Sequence, residues 1–234
     1  MKFFIPIKNE SQRVPGKNFR QLGVLPLYKH TLYKLKDYIV FVDTDSDELI
    51  DDIRTDSNLK HVVTLKRPEY LCGNEVSVNK LINNFVQGQW RGCNESATVI
   101  DSNDVICQIH VTSPFLRVET LEKAYQFFQD TDCDSVVSCN LINSRLWRKE
   151  QYGYCPVNHN PLKLEQTQSL PTLYEENSAF YMFKKHVFTT IQNRVGKNPS
   201  FYKVDHPENF DIDTEDNWKE CLKINETLLL DEKN

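Results

Sequence analysis

Residues Ile5 to Asn18 read IPIKNESQRVPGKN and follow directly on Lys2-Phe3-Phe4. Phe3 to Ile7 is a short apolar run of strand length. It ends in a polar, basic loop, in which Lys8, Arg13, Lys17 and Arg20 stand against a single acid, Glu10. Within that loop Lys8, Ser11, Gln12, Arg13, Gly16 and Lys17 bring hydroxyl, amide and cationic groups close together. Backbone N–H donors and flexible cations just beyond a strand are what a chain of phosphates requires. Pro15-Gly16 is a turn dipeptide that lets the backbone approach a ligand. Neither the G-x-x-x-x-G-K-[ST] phosphate loop nor a dinucleotide fingerprint is present. Composition alone leaves two readings open, a solvated basic surface loop and a phosphate cradle.

Working outward, apolar runs alternate with amphipathic stretches. Pro26 to Lys36 reads as a helix, and Tyr38 to Val42 as a buried strand ended by Asp43-Thr44-Asp45-Ser46. Asp45 or Ser46 can cap the next helix, which runs through Leu49, Ile50 and Ile53. His61 to Leu65 is strand-like, and Val76, Leu81, Ile82 and Phe85 mark a helical face. Val105 to Val111 is a strand followed by Thr112-Ser113-Pro114; Leu121 to Phe128 is helical; Ser135 to Cys139 is a strand. Ala179 to Phe183 and Ser200 to Val204 resume the pattern, and a helix capped by Thr214 closes the chain. Strands alternating with helices predict an α/β fold with a mostly parallel sheet flanked by helices. Ligands on such sheets sit beyond the carboxyl ends of the strands. That rule selects the loops after Ile7, Val42 and Val111.

The stretch from Asn140 to Glu176 breaks the rhythm. It carries Trp147, Tyr152, Tyr154 and Tyr174 among Pro156, Pro161 and Pro171, with no clear period. A segment that long inside a compact domain is functional or an arm of its own. The expected organisation is an α/β domain over residues 1–139 and 177–234, with an arm over 140–176.

The chain has 234 residues, 39% hydrophobic and 26% charged, which suits one soluble globular domain. A formal net charge of −5 gives no global reason to bind nucleic acid or an anionic membrane, yet leaves room for a locally basic anion site. No apolar run reaches the roughly 20 residues that span a bilayer, and the start lacks a signal-peptide core, so a cytoplasmic location is expected. The seven cysteines are odd in number and scattered, with no C-x-x-C pair, which speaks against a disulfide framework or a zinc site. The sequons at Asn9, Asn94 and Asn225 are then chance matches.

Ile5 to Asn18 resembles the first motif of the acylneuraminate cytidylyltransferases, the CMP-sialic acid synthetase family, approximately apolar-P-A-R-x-x-S-K-x-x-P-x-K-N. Further segments match in order. Val42-Asp43-Thr44-Asp45-Ser46 resembles S-T-D-S, and Arg67-Pro68 resembles the family's R-P. Thr112-Ser113-Pro114-Phe115-Leu116-Arg117 resembles T-S-P-L-R, Asn177-Ser178-Ala179-Phe180-Tyr181 resembles N-G-A-I-Y, and Asp211-Ile212-Asp213-Thr214-Glu215 matches D-I-D-T-E. The resemblance implies a Rossmann-like domain with a small dimerisation arm, a homodimer, and transfer of CMP from CTP to the anomeric hydroxyl of an acidic, sialic-acid-like keto-sugar with Mg²⁺. It assigns Lys17 and Lys8 to the triphosphate charge, together with Asp213 as catalytic groups. Ser11, Gln12 and Arg13 would contact phosphates, Asn18, Arg67 and Ser77 the cytosine and ribose. His110, Thr112, Ser113 and Asn177 would face the sugar.

Asp211 and Asp213 stand one residue apart, so on an extended segment both carboxylates point the same way. Hard oxygens so placed suit Mg²⁺, which binds one or two carboxylates plus phosphate. The same residues also make a good acidic helix entry. The chain departs from the family in several places. The motif arginine is Lys8, which loses the bidentate fork; the lysine after the serine is Gln12; the glutamine before T-S-P is His110; Phe115 is extra; the glycine of N-G-A is Ser178. No arginine lies between Gln166 and Glu176, where the family's arm carries candidates for the sugar carboxylate. Lys163 and Arg148 are the nearest cations in sequence. Two other readings therefore stand beside CMP-sugar synthesis: a nucleotidyltransferase for another 3-deoxy-ulosonic acid, and a nucleotide-binding homodimer that has lost catalysis. His110 itself reads either as a hydrogen-bonded structural residue or as a sugar contact.

Overall fold

A computed structural model describes residues 1–73, 75–88 and 100–231. Asn74, Cys93 and the sequon at Asn94 lie outside the described residues. The chain opens with β1 (Lys2–Ile7), a short ribbon of β2 (Gln21–Leu22) and β3 (Leu25–Pro26), α1 (Leu27–Lys34), β4 (Val40–Thr44) and α2 (Asp47–Thr55). β5 (Val62–Lys66), α3 (Val78–Val86), β6 (Val105–Ile109), α4 (Val118–Asp130) and β7 (Ser135–Ile142) follow. After the hairpin β8 (Trp147–Glu150) and β9 (Gly153–Pro156) come β10 (Leu173–Lys184), α5 (Lys185–Ile191), β11 (Pro199–Lys203) and α6 (Glu215–Asp231).

Among the described residues, seven strands form one sheet in the order β11-β7-β10-β6-β1-β4-β5. β1 is parallel to β4 and β6, β4 to β5, and β7 to β11; only β10 runs antiparallel to its neighbours. The expected mostly parallel α/β sheet is therefore present. The strand order reverses direction around β1, and the crevice beyond β1 and β6 is the switch point where such folds bind ligands.

β1 explains how the sheet is covered on both faces. Phe3, Ile5 and Ile7 join a core with Leu32, Val42, Leu121 and Phe128. Phe4, one residue out of phase, joins the opposite core with Phe41, Phe85, Ile106 and Phe188. Alternate residues of a strand face opposite sides, so an unbroken apolar run is what a two-sided burial demands. Phe4 stacks on Phe85 with ring centroids 4.6 Å apart. Removing such a ring costs about 3–5 kcal/mol.

Several boundaries differ from the sequence expectation, β6 among them, which ends at Ile109 rather than Val111. β4 was expected to end at Val42, but it runs on through Asp43 and Thr44, both buried. Polar residues survive there because Arg67 pairs with Asp43 and the Ser46 N–H donates to Thr44 Oγ1. Ser46, not Asp45, caps α2, accepting from Leu49 N at 3.2 Å. Further on, β7 continues to Ile142 and β10 begins at Leu173, so the main sheet claims the ends of the segment set apart as an arm. Between them the β8–β9 hairpin forms its own two-stranded sheet. Among the described residues no helix is long and apolar enough to cross a membrane.

Candidate active site

The loop after β1 is held in shape by its own ends. Gly16 takes φ 64, a left-handed conformation that a side chain disfavours, and delivers Lys17 into a short 3-10 turn. Asn18 Nδ2 donates to the Lys8 carbonyl at 2.9 Å, closing the loop. Asp45, free of capping duty, accepts from Asn9 N at 2.8 Å and ties the loop to β4. Lys8 Nζ donates to the Gly73 carbonyl at 2.8 Å.

Beneath this loop lies a cavity of about 510 Å³ at the carboxyl ends of β1 and β6. Four cations line it, Lys8, Arg13, Lys17 and Arg67, against three carboxylates, Glu10, Asp211 and Asp213. An acidic chain thus has a locally cationic pocket, the arrangement that suits a polyanion. Ser11, Gln12, Asn18, His110 and Thr112 also line it, and Val76, Val78 and Leu81 supply an apolar side. The volume suits a ligand of nucleotide size.

Lys17 is almost wholly buried; its Nζ donates to the Ile212 carbonyl at 2.5 Å and lies 3.9 Å from Asp213 Oδ1. Burial lowers its pKa, against the opposing pull of Asp211 and Asp213. Arg13 Nη2 meets the same Asp213 oxygen at 2.7 Å. The carboxylate segment is fixed by Ile212 N, which donates to Thr112 O at 3.0 Å, and by Arg20, which grips Glu215 through two bonds of 2.7 Å. Asp211 Oδ1 is buried without a hydrogen-bond partner, and burial raises the pKa of this carboxyl. Among the described residues no group of three His, Cys, Asp or Glu side chains can hold a metal. Two carboxylates on one cavity wall, one with an orphan oxygen, would fit a hydrated Mg²⁺, whose remaining ligands water and phosphate can supply.

Three expected residues are placed elsewhere. Ser77 is exposed at the start of α3, while its neighbours Val76 and Val78 turn into the cavity. Ser113 is buried below the floor, lining a narrow crevice with Thr31 and Lys34. Asn177 turns to Asn140, donating to its Oδ1 at 3.0 Å. The cause is an irregularity in β10 between Glu176 and Tyr181, where Ser178 adopts φ 60 and takes the cavity position itself.

The two arm cations nearest in sequence to the missing arginines pair within the arm. Arg148 is engaged by Glu150, and Lys163 by Glu165 at 2.8 Å. Arg194, from the turn after α5, lies behind the wall that carries His110. Its guanidinium stacks 3.5 Å from the Tyr181 ring centre and donates to Gln108 Oε1 at 2.5 Å. No local motif marks Arg194; only the antiparallel pairing of β10 with β6 brings Tyr181 beside Gln108.

The sequence profile of the family described as cytidylyltransferase matches residues 3–234. The chain belongs to the cytidylyltransferase family. It is 23% identical to the N-acylneuraminate cytidylyltransferase of Streptococcus agalactiae over 92% of this chain and 50% of that one. It is 25% identical to the CMP-N,N'-diacetyllegionaminic acid synthase of Legionella pneumophila over 97% of both chains. This cytidylyltransferase-family chain thus spans about half the length of the streptococcal relative. A solved structure of CMP:2-keto-3-deoxy-manno-octonic acid synthetase complexed with CTP superposes with a TM-score of 0.61 at 12% identity, over 95% of this chain and 96% of that one. At that identity the likeness establishes the shared fold.

Proposed function

We propose that the chain transfers CMP from CTP to the anomeric hydroxyl of an acidic keto-sugar and releases pyrophosphate. The observation that carries this reading is the convergence of the β1 loop and the Asp211–Asp213 segment on one cavity, with Lys17 between them. Nucleotidyl transfer is mostly positioning and charge neutralisation, which these groups supply. Lys8, Arg13 and Lys17 offset the triphosphate charge, and Ser11 and Gln12 donate to its oxygens. Arg67 and Asn18 lie on the base and ribose side. His110, Thr112 and Ser178 face the acceptor. The sugar oxygen bonds to the α-phosphorus in line as the bond to the β-phosphate oxygen breaks; pyrophosphate leaves, and the hydroxyl proton passes to solvent. Mg²⁺, when bound, neutralises phosphate charge, and Asp211 and Asp213 are the residues that would hold it.

The acceptor reading is broader than sialic acid, because Arg148 and Lys163 are held by their own neighbours and the arm offers no arginine near Asn177. The exposed Trp147, Tyr152, Leu162 and Leu164 beyond the main sheet support a second copy of this chain as the partner of that segment. Pyrophosphate release from CTP and Mg²⁺ across a panel of acidic keto-sugars tests the reading. Release with none of them, while calorimetry registers CTP binding, would replace it with a nucleotide-binding role.

A further inference from the structure

The cavity's acceptor wall contains a chain of hydrogen bonds whose directions are fixed by chemistry. Gln108 is fully buried on β6, and His110, two residues on, faces the same side and lines the cavity. The turn carrying Arg194 is pinned, with Arg194 N donating to Asn79 Oδ1 at 3.4 Å and Gly196 N to Ser135 Oγ at 2.8 Å. A guanidinium has donors only. The Gln108 oxygen must therefore face Arg194, as the 2.5 Å contact requires. The amide nitrogen then points the other way, to His110 Nε2 at 2.9 Å. An amide nitrogen only donates, so Nε2 must accept, and the single ring proton sits on Nδ1.

We propose that Arg194, acting through Gln108, locks His110 in the Nδ1–H tautomer, so that the ring offers the cavity one hydrogen-bond donor aimed at an oxygen of the acidic acceptor. Arg194 and Gln108 are positioning residues; His110 makes the contact. A second proton on the ring would set two donors against each other at 2.9 Å. Burial, with Arg194 and Lys17 as like charges, also pushes the His110 pKa down to about 4, so the ring stays neutral near pH 7. With Nε2 occupied, His110 cannot serve as a base through that atom. An amide at this position, as in the family motif, could donate or accept; the locked imidazole only donates. That selects an acceptor presenting a carboxylate or another lone-pair oxygen at this wall. The acceptor part rests on the proposed transferase reaction, whereas the tautomer does not.

The test is ¹⁵N NMR of the histidine rings in the full chain, with His110 assigned by loss of its signals in His110→Asn. The expected result is a neutral ring protonated at Nδ1. Gln108→Glu puts an acceptor-only carboxylate against Nε2 and should move the proton to that nitrogen. Should this variant not fold, Arg194→Met frees the Gln108 amide to turn and should yield mixed tautomers. In turnover assays, either change should raise the acceptor KM roughly tenfold, the loss of one hydrogen bond, with the CTP KM unchanged. A wild-type ring protonated at Nε2, or a tautomer insensitive to both variants, overturns the relay. An Nδ1–H ring that responds to the variants in a chain with no transferase activity upholds the relay and overturns the reaction instead.

Discussion

Arg67 and Asp43 form a buried ion pair, Nε to Oδ1 at 2.5 Å, in which Arg67 Nη1 and Asp43 Oδ2 have no hydrogen-bond partner. A second bond runs from Arg67 Nη2 to the Asp43 carbonyl at 3.0 Å. Taking both charges out of water costs several kcal/mol each, and a half-satisfied pair returns only part of it. Arg67 also lines the cavity, so the pair ties the end of β4 to the cavity wall.

From this pairing follows a double-variant test. Arg67→Met leaves Asp43 buried and unpaired and should cost about 3–5 kcal/mol of stability. Adding Asp43→Leu should recover most of that loss in denaturant unfolding. CTP binding, followed by calorimetry, should stay weak in both. Recovery of binding in the double variant would show that Arg67 serves packing alone.

Asp213 is half exposed and touches Arg13 and Lys17 rather than the core. Asp213→Ala should leave thermal unfolding nearly unchanged and lower turnover of CTP about a hundredfold or more at saturating Mg²⁺, the scale of a lost transition-state charge contact. Turnover at the unmodified rate would remove Asp213 from the metal role.

A β-carbon at Gly16 would meet no heavy atom within 4 Å, so space does not exclude alanine there. The backbone does, because φ is 64. Gly16→Ala should cost about 1 kcal/mol and weaken CTP binding by shifting Lys17 at the head of the turn. Thermal unfolding with and without CTP separates the two effects.

Asp56 braces α1 against the end of α2. It accepts from Tyr33 at 2.6 Å and Lys29 at 2.9 Å. Those two partners, the Tyr33 hydroxyl first, hold its pKa down at about 2. The folded value lies below the unfolded one, so the stabilisation is present above about pH 4 and is lost as the pH falls toward 2. Asp56→Asn should therefore lower stability by about 1–2 kcal/mol at neutral pH, with the gap to wild type closing in acid. A pH series of urea midpoints reads both.

Much of the fold was legible because burial on both sheet faces writes itself as unbroken apolar runs. Phe3 to Ile7 and the run from Val105, expected to reach Val111 and ending at Ile109, were readable for that reason. Asp43 and Thr44 were not, since their burial depends on Arg67 and Ser46, and a polar dipeptide after an apolar run reads as a loop. The place of the β1 loop on the cavity was legible for a similar reason. Lys8 through Asn18 are contiguous, so a loop that closes on itself through Asn18 and Lys8 keeps its chemistry together in the sequence. Asn177, Ser113 and Ser77 were expected at the cavity and do not line it; an irregularity in β10, the turn after β6 and the start of α3 decide which neighbour faces inward.

By itself, then, the sequence determined the strand–helix alternation, the basic loop after β1 and the paired carboxylates near its other end, all local patterns of residues close along the chain. Only the tertiary structure decided that Lys17 meets Ile212 and Asp213, and that Arg194 reaches His110 through Gln108. Those contacts join residues far apart in sequence, and their geometry is set by sheet order and strand register, which no local pattern encodes.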